Sequence, residues 1–453
     1  MATIKNVDAA KVKLSPGKKI CYALGDVGNN FSWSFVSSYL MNFWTDVFGI
    51  SAGAAGSIMF LSRFWDAAND PLVGKWSDQT KSKWGSYRPW VLFGSLPLGI
   101  ITVLTFTSFP IQSAGGRLAY GFITFFILVF VYTCVNVPYS AMQAALTLDS
   151  QERASVASFR LFFAFATSLL ISNMTLRFVG WFGQGDRQRG FMFTAILYAC
   201  IMFVLHMVCF KNTREVVETK VEKIPYRTAF KCLKGNWPVI ILAFAFLTYG
   251  FFNYGRSAVA LYYFTYNAGN EMIFATYALF NMGGSMLGTL LMPQISKRLK
   301  NKASVPMIGW SVGGILLIGM YFLNPTTQIP LLFVMQLFCS IGFGMSASMI
   351  YGMVPDTTEY TQLKYGLRAS GFISAMVNFA LKIGMAFGTA GVGWIMDACG
   401  YVPNQQQTPL VSNGINMMFT MVPGILALVA VLLLKFYKLD KNTYNQVVSD
   451  LQG

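Results

Sequence analysis

The sequence predicts an all-α membrane protein, with twelve transmembrane helices in two six-helix bundles. Three observations carry that prediction. Hydrophobic residues make up 55% of the 453 residues and charged residues only 11%, with a mean hydropathy of +0.50. Apolar runs near the ~20 residues that cross a bilayer core recur from end to end, such as Val91–Phe109 and Ile415–Phe436. Lysines and arginines gather in alternate inter-helix segments, the asymmetry of a polytopic chain with both termini cytoplasmic. Short alternating strands, which a β-barrel needs, do not occur.

Taken in order, the apolar runs between polar or Gly/Pro punctuation place spans at 18–46, 51–76, 87–109, 117–146, 153–178 and 190–210. Six more follow at 236–266, 271–297, 303–323, 328–355, 369–397 and 411–437. The longest polar interruption, Lys211 to Asn236, divides the chain into two groups of six. The layout is therefore a cytoplasmic tail (1–16), a first bundle (17–212), a cytoplasmic central loop (213–235), a second bundle (236–438) and a cytoplasmic tail (439–453). Two such groups are the arrangement of transporter halves related by pseudo-symmetry, with substrate bound near the midplane. The first fifteen residues are polar and lack a cleavable leader pattern.

The net charge of +16 does not indicate nucleic acid, because the basic residues follow the loops and form no patch interleaved with exposed aromatics. Seven cysteines are scattered without a C-x-x-C pair and read as small hydrophobes. The single histidine, His206, reads as a satisfied side chain at the end of a span. An enzyme is excluded for want of a nucleophile–base pair, a metal cluster or a phosphate-cradling glycine loop. A channel would show repeated pore-lining motifs, and none are present.

Polar residues inside the spans are the informative exceptions. Asp66 and Asp70, four apart, share one helical face. A charge at bilayer depth costs roughly 2.5–3.5 kcal/mol on insertion scales, so two together predict a cation or proton site. Asp26, Asn29 and Asn30 lie in the first span with Trp33 one turn on. Carboxylate and amide groups suit paired hydroxyls, and an aromatic face suits the apolar side of a sugar. Thr133 and Asn136 lie one turn apart in the fourth span, before Pro138, and offer oxygens suited to a hard cation. Lys382, mid-span, needs an acidic partner, and Arg256 is a candidate contact for an acidic substrate.

These residues together resemble the glycoside–pentoside–hexuronide:cation symporter family of the major facilitator superfamily. The match runs through Tyr22-Ala23-Leu24-Gly25-Asp26, Arg63-Phe64-Trp65-Asp66-Ala67-Ala68-Asn69-Asp70-Pro71, Trp84-Gly85-Ser86-Tyr87-Arg88-Pro89-Trp90, Asn136-Val137-Pro138-Tyr139, Glu152-Arg153 and Gly400-Tyr401-Val402-Pro403-Asn404. The resemblance implies a major facilitator fold and symport of a sugar or glycoside with Na⁺, Li⁺ or H⁺ by alternating access. By position it implies cation ligands at Asp66, Asn69, Asp70 and Thr133, and a helix-11 lysine, Lys382, near that site. It places Asn29, Asn30, Tyr132 and Arg160 around the sugar, and Asp26, Asn136, Arg256 and Lys382 are counted with them. The loop from Gly74 through Asp78 to Arg88 looks like the superfamily's loop-2/3 latch, and Asp356, Glu359 and Arg368 occupy an equivalent place in the second half. The family's galactoside contacts are missing at Asn29, Asn30, Asn136, Ser140 and Ala347, so the chain looks more like the glucuronide and pentoside branches. The expectation is Na⁺ rather than H⁺ as coupling ion, a neutral glycoside rather than a hexuronide, no cofactor, and a monomer in a bacterial cytoplasmic membrane. The rival within the superfamily is a lysolipid carrier, which would need an apolar, laterally open cavity.

Overall fold

The computed structural model describes residues 14–147, 150–215, 236–299, 301–365, 370–437 and 439. The tail before residue 14, most of the central loop, the C-terminal tail from 440 and Arg368 lie outside the described residues. Within them the chain is helical throughout. The first helices are α1 (Pro16–Asn42), α2 (Ala52–Gln79), α3 (Arg88–Thr105), α4 (Ala114–Leu146), α5 (Ser150–Gly183) and α6 (Arg187–Asn212). They are followed by α7 (Trp237–Tyr262), α8 (Ile273–Arg298), α9 (Ser304–Met320), α10 (Ile329–Tyr365) and α11 (Ser370–Ala398). A final pass is made of two pieces, α12 (Pro409–Phe419) and α13 (Met421–Leu434). Among the described residues, eight passes are long and apolar enough to cross a membrane by length and composition. α1 and α2 are not among them, because their middles carry the polar residues singled out above.

Local chemistry sets the helix ends. Ser15, Ser113, Asp186 and Thr408 each accept a backbone N–H of the first turn of α1, α4, α6 and α12. Pro16, Pro238 and Pro409 stand at first-turn positions where no N–H is needed. α1 and α7 both widen into a π-helical turn, Phe43–Phe48 and Tyr263–Asn267. A positive-φ glycine follows each turn, Gly49 at 81° and Gly269 at 72°.

Two units emerge, each with its own internal packing: 1–51 with 64–221, and 52–63 with 222–453. In the first, α1 packs on α5 and α6, and α3 on α4 and α6. In the second, α7 packs on α11 and α13, and α9 on α10 and α13. Each of these pairings in the first unit thus has its counterpart six passes later. The first unit closes around Tyr22 and Tyr139, whose rings stack at 4.7 Å. Each of these hydroxyls donates to the other's backbone carbonyl, at 2.8 and 2.7 Å. Gly25 makes that approach possible, because a Cβ there would lie 2.5 Å from the Tyr139 ring. The second unit centres on Trp310, Phe252 and Phe343. Its member 52–63, the first three turns of α2, lies against α11: Trp394 Nε1 donates to Ser57 Oγ at 3.0 Å, and Phe60 meets Phe387 at 5.1 Å.

Two boundaries differ from the hydropathy reading. The tenth span continues past Pro355 to Tyr365. Its polar extension is buried through Asp356, Thr357, Thr358 and Thr361, so tertiary packing stabilises a helix that apolar periodicity does not reveal. The last span, read as continuous, breaks at Thr420 (φ −124°, ψ −69°).

Candidate functional site

The first unit gathers most of the predicted polar residues. On α2, Asp66 and Asp70 are half-buried and Asn69 is only 2% exposed. Thr133, buried on α4, donates its hydroxyl to Asp66 Oδ1 at 3.2 Å, so α4 does face α2. Trp65, next in the motif, reaches the same helix by donating Nε1 to the Phe126 carbonyl. Pro71 has no N–H, which leaves the Ala67 carbonyl, between the two carboxylates, without its helical donor. Asn69 Nδ2 is buried without a hydrogen-bond partner. Two carboxylates, a hydroxyl, an amide and a freed carbonyl make an oxygen-rich stretch of the kind hard cations take. Among the described residues no cluster of three or more His, Cys, Asp or Glu side chains occurs, so neutral oxygens would have to complete any cation shell.

A second polar chain runs along α1. Asp26 Oδ1 accepts from Arg160 of α5 at 3.3 Å, and Arg160 also donates to Gln143 of α4 at 2.7 Å. The Arg160 guanidinium stands 4.9 Å from the centre of the Tyr139 ring, so the tyrosine pair also supports the cation. Asn30 donates to the Asp26 carbonyl and accepts from Ser34, which in turn meets Ser168 of α5 at 2.8 Å. Trp33 and Tyr132 stack at 4.6 Å and 26°, both half-buried, and give the chain an aromatic end. Asn136 is half-buried and accepts from Asn29 Nδ2 at 3.3 Å. Asn29 itself is 1% exposed and has His206 Nε2 3.1 Å from its Oδ1. Asn29, expected at the sugar, is therefore enclosed, and it bears on the site through Asn136. His206, fully buried against Gly28, is the support behind it.

In the second unit the placements differ more. Lys382 lies half-buried on α11. Arg256, expected as a substrate contact, is 5% exposed and committed to protein groups. Its Nε donates to the Phe419 carbonyl at 2.8 Å, where the last pass breaks, and its Nη2 donates to Gln336 Oε1 at 2.6 Å. The rings of Phe419 and Tyr277 flank the guanidinium at 4.5 and 5.5 Å. A broken helix inside a membrane needs its freed backbone groups satisfied, and Arg256 does this for α12.

The loop latch is built differently from the expectation of an acid against a basic cluster. Asp78 accepts from the Tyr87 hydroxyl at 3.0 Å, while Arg88 donates to the carbonyls of Trp84 and Phe210. The anchoring carboxylate is Glu215, just past α6. It accepts from the backbone N–H groups of Ser86, Tyr87 and Arg88 at 2.8, 2.8 and 2.9 Å, capping α3. Gly85 makes room for it: φ is +108°, and a Cβ would lie 2.6 Å from the Glu215 carboxylate. In the second unit Asp356 pairs with Lys302 at 2.7 Å, and Glu359 keeps Oε2 buried without a partner. Glu215, Gln143 and Lys302 escaped the sequence reading. Glu215 left one trace, as the first acid in a basic stretch after Lys211.

Comparison with known proteins agrees with this architecture. Residues 21–441 match the family model described as MFS/sugar transport protein. The chain is 34% identical to the isoprimeverose transporter of Lactiplantibacillus pentosus, over 94% of this chain and 89% of that one. It is 33% identical to a putative glycoside/cation symporter of Escherichia coli K12, covering 94% and 93%. It is 30% identical to a glucuronide carrier protein homolog of the same organism, covering 95% and 94%. The fold is similar to that of a bacterial homolog of the lysosomal transporter Spinster (TM-score 0.69, 14% identity, 96% and 99% covered). It is also similar to that of a D-xylose–proton symporter (TM-score 0.65, 14% identity, 93% and 97% covered). The chain belongs to the MFS/sugar transport protein family, the glycoside–pentoside–hexuronide type anticipated from its motifs, and is a multi-pass membrane transporter of the major facilitator superfamily rather than an enzyme.

Proposed function

We propose that the protein is a cation-coupled symporter of a neutral glycoside, with Na⁺ as the coupling ion, both termini cytoplasmic and the monomer as the working unit. The observation that carries the coupling is the Thr133–Asp66 hydrogen bond, which sets a neutral oxygen beside a carboxylate on the face that Asp70 shares one turn on. A proton needs one basic atom, whereas Na⁺ needs several oxygens held together. The α1 chain supports the glycoside: Asp26, Asn30, Asn136 and Arg160 supply donors and acceptors for hydroxyls, and the Trp33–Tyr132 stack supplies a flat apolar face. Relatives named as isoprimeverose and glycoside/cation transporters agree with that class. The commitment of Arg256 to Phe419 and Gln336 supports a neutral substrate, because it removes one candidate partner for a uronate. Half-buried Asp26 and Asn30 on α1 tell against the lysolipid alternative, because a lipid tail would meet polar groups there. The test is uptake into proteoliposomes at fixed pH, with a panel of neutral glycosides and their uronate counterparts. Accumulation of a neutral glycoside that needs a Na⁺ gradient and survives a protonophore supports the reading. Accumulation indifferent to Na⁺ and abolished by the protonophore overturns Na⁺ coupling.

A further inference from the structure

A chain of polar groups crosses the second unit from α7 through α10 to α8. It starts at Arg256, whose guanidinium carries only donors, and Gln336 Oε1 accepts from it. Gln336 is fully buried, and this contact fixes its amide so that Nε2 is the end left to donate. Nε2 donates to Asn281 Oδ1 of α8 at 3.0 Å and to Ser340 Oγ at 2.7 Å. Ser340 in turn donates to the same Asn281 Oδ1 at 3.1 Å. The amide oxygen of half-buried Asn281 thus takes two hydrogen bonds, while its Nδ2 makes none among the described residues. That nitrogen is turned away from lipid. Exposed Leu279, Leu287 and Leu290 form the outer stripe of α8, roughly 160–240° round the helix from Asn281 at about 100° per residue. Gly284 holds the opposite side against α10, where a Cβ would lie 2.7 Å from that of Ser340. Asn281 also stands deep, ~12 Å along α8 from its first residue, Ile273. A polar group at that depth that meets neither lipid nor protein marks a wet cavity or a ligand.

We infer that Asn281 is a substrate contact contributed by the second unit, donating from Nδ2 to a hydroxyl oxygen of the transported glycoside. Gln336 and Arg256 are positioning residues behind it. A donor-only cation at one end of the chain leaves a donor-only group at the other, and each bond polarises the next. This contact rests on the glycoside proposed above, and it requires of that glycoside an acceptor at one position.

A fluorine in place of a hydroxyl accepts a hydrogen bond but donates none, so it reads the direction of this contact. Binding of the methyl pyranosides of xylose, glucose and galactose, and of their monodeoxyfluoro analogues, is measured by calorimetry on the purified protein. At one ring position the wild type should bind the fluoro analogue within about threefold of its parent. Asn281→Asp replaces the donors with acceptors. Gln336→Glu still accepts from Arg256 but turns an acceptor toward Asn281, whose amide then flips. Both variants should bind that analogue at least about tenfold worse than its parent, and Asn281→Ala should weaken the two alike. Each ratio is internal to one variant, so lost stability does not imitate it, and either reversing variant suffices where the other fails to fold. Ratios unchanged in these variants, or no position at which the wild type tolerates fluorine, would overturn the contact and leave the glycoside reading standing. A wild type that binds none of these glycosides would overturn the contact together with the reading on which it rests.

Discussion

At the scale of single residues, side chains proposed to meet a ligand are distinguished from those that hold other residues in place. Asp70, half-buried on the face of α2 that carries Asp66, is the residue proposed to meet the coupling cation. Asp70→Asn should abolish concentrative uptake, by at least about tenfold, the factor that loss of one charge-assisted contact near 1.4 kcal/mol produces, while leaving exchange of bound sugar largely intact. Parallel measurement of accumulation and exchange in vesicles decides this, and normal accumulation would refute the coupling role. Arg256 belongs to the second kind. Arg256→Gln leaves the Phe419 carbonyl without its donor, and an unsatisfied buried group costs about 1–3 kcal/mol. The variant should melt earlier in detergent and lose neutral and acidic glycosides equally. Selective loss of the acidic one in a binding assay would restore Arg256 to the substrate.

At the scale of elements, the device that matters is the knot joining the α2–α3 loop to the end of α6. Hydrogen bonds to a charged group contribute about 1.5–3 kcal/mol, and Glu215 makes three. Glu215→Gln keeps the shape but removes the charge and one acceptor, so a moderate fall in melting temperature is expected. Gly85→Ala meets both positive φ and the carboxylate, and should fall further. A thermal-shift series in which Gly85→Ala equals the wild type would show that the loop does not need this knot. The spans themselves were readable from hydropathy because bilayer thickness imposes their length. The knot was not, because one acid in a basic stretch carries no local sign of the three N–H groups it meets more than 120 residues away. The extension of α10 past Pro355 and the break at Thr420 went unread for the same reason.

At the scale of the whole molecule, the two groups of six seen in hydropathy reappear as matching helix pairings inside each unit. The units do not follow the chain midpoint strictly, since 52–63 is counted with the second. Residues 222–453 expressed alone therefore lack a member that contributes the Ser57–Trp394 hydrogen bond and the Phe60–Phe387 contact. Co-expression with 1–221 should protect that fragment in a protease time course. Equal resistance of 222–453 with and without its complement would show that 52–63 contributes nothing to it.

The sequence by itself determined the membrane class, the number of passes, the division into two groups, the carboxylate pair Asp66 and Asp70, and the family. Each of these follows from a constraint that acts along the chain: span length, loop charge, helical periodicity, or motif order. Tertiary structure alone decided which polar groups meet. It brought Thr133 to Asp66, bound Asp26 to Arg160, enclosed Asn29 between Asn136 and His206, and used Arg256 to satisfy a broken helix. Partner choice between helices depends on how each is rotated and how closely small residues such as Gly25 let it approach. No pattern within a single helix encodes that rotation.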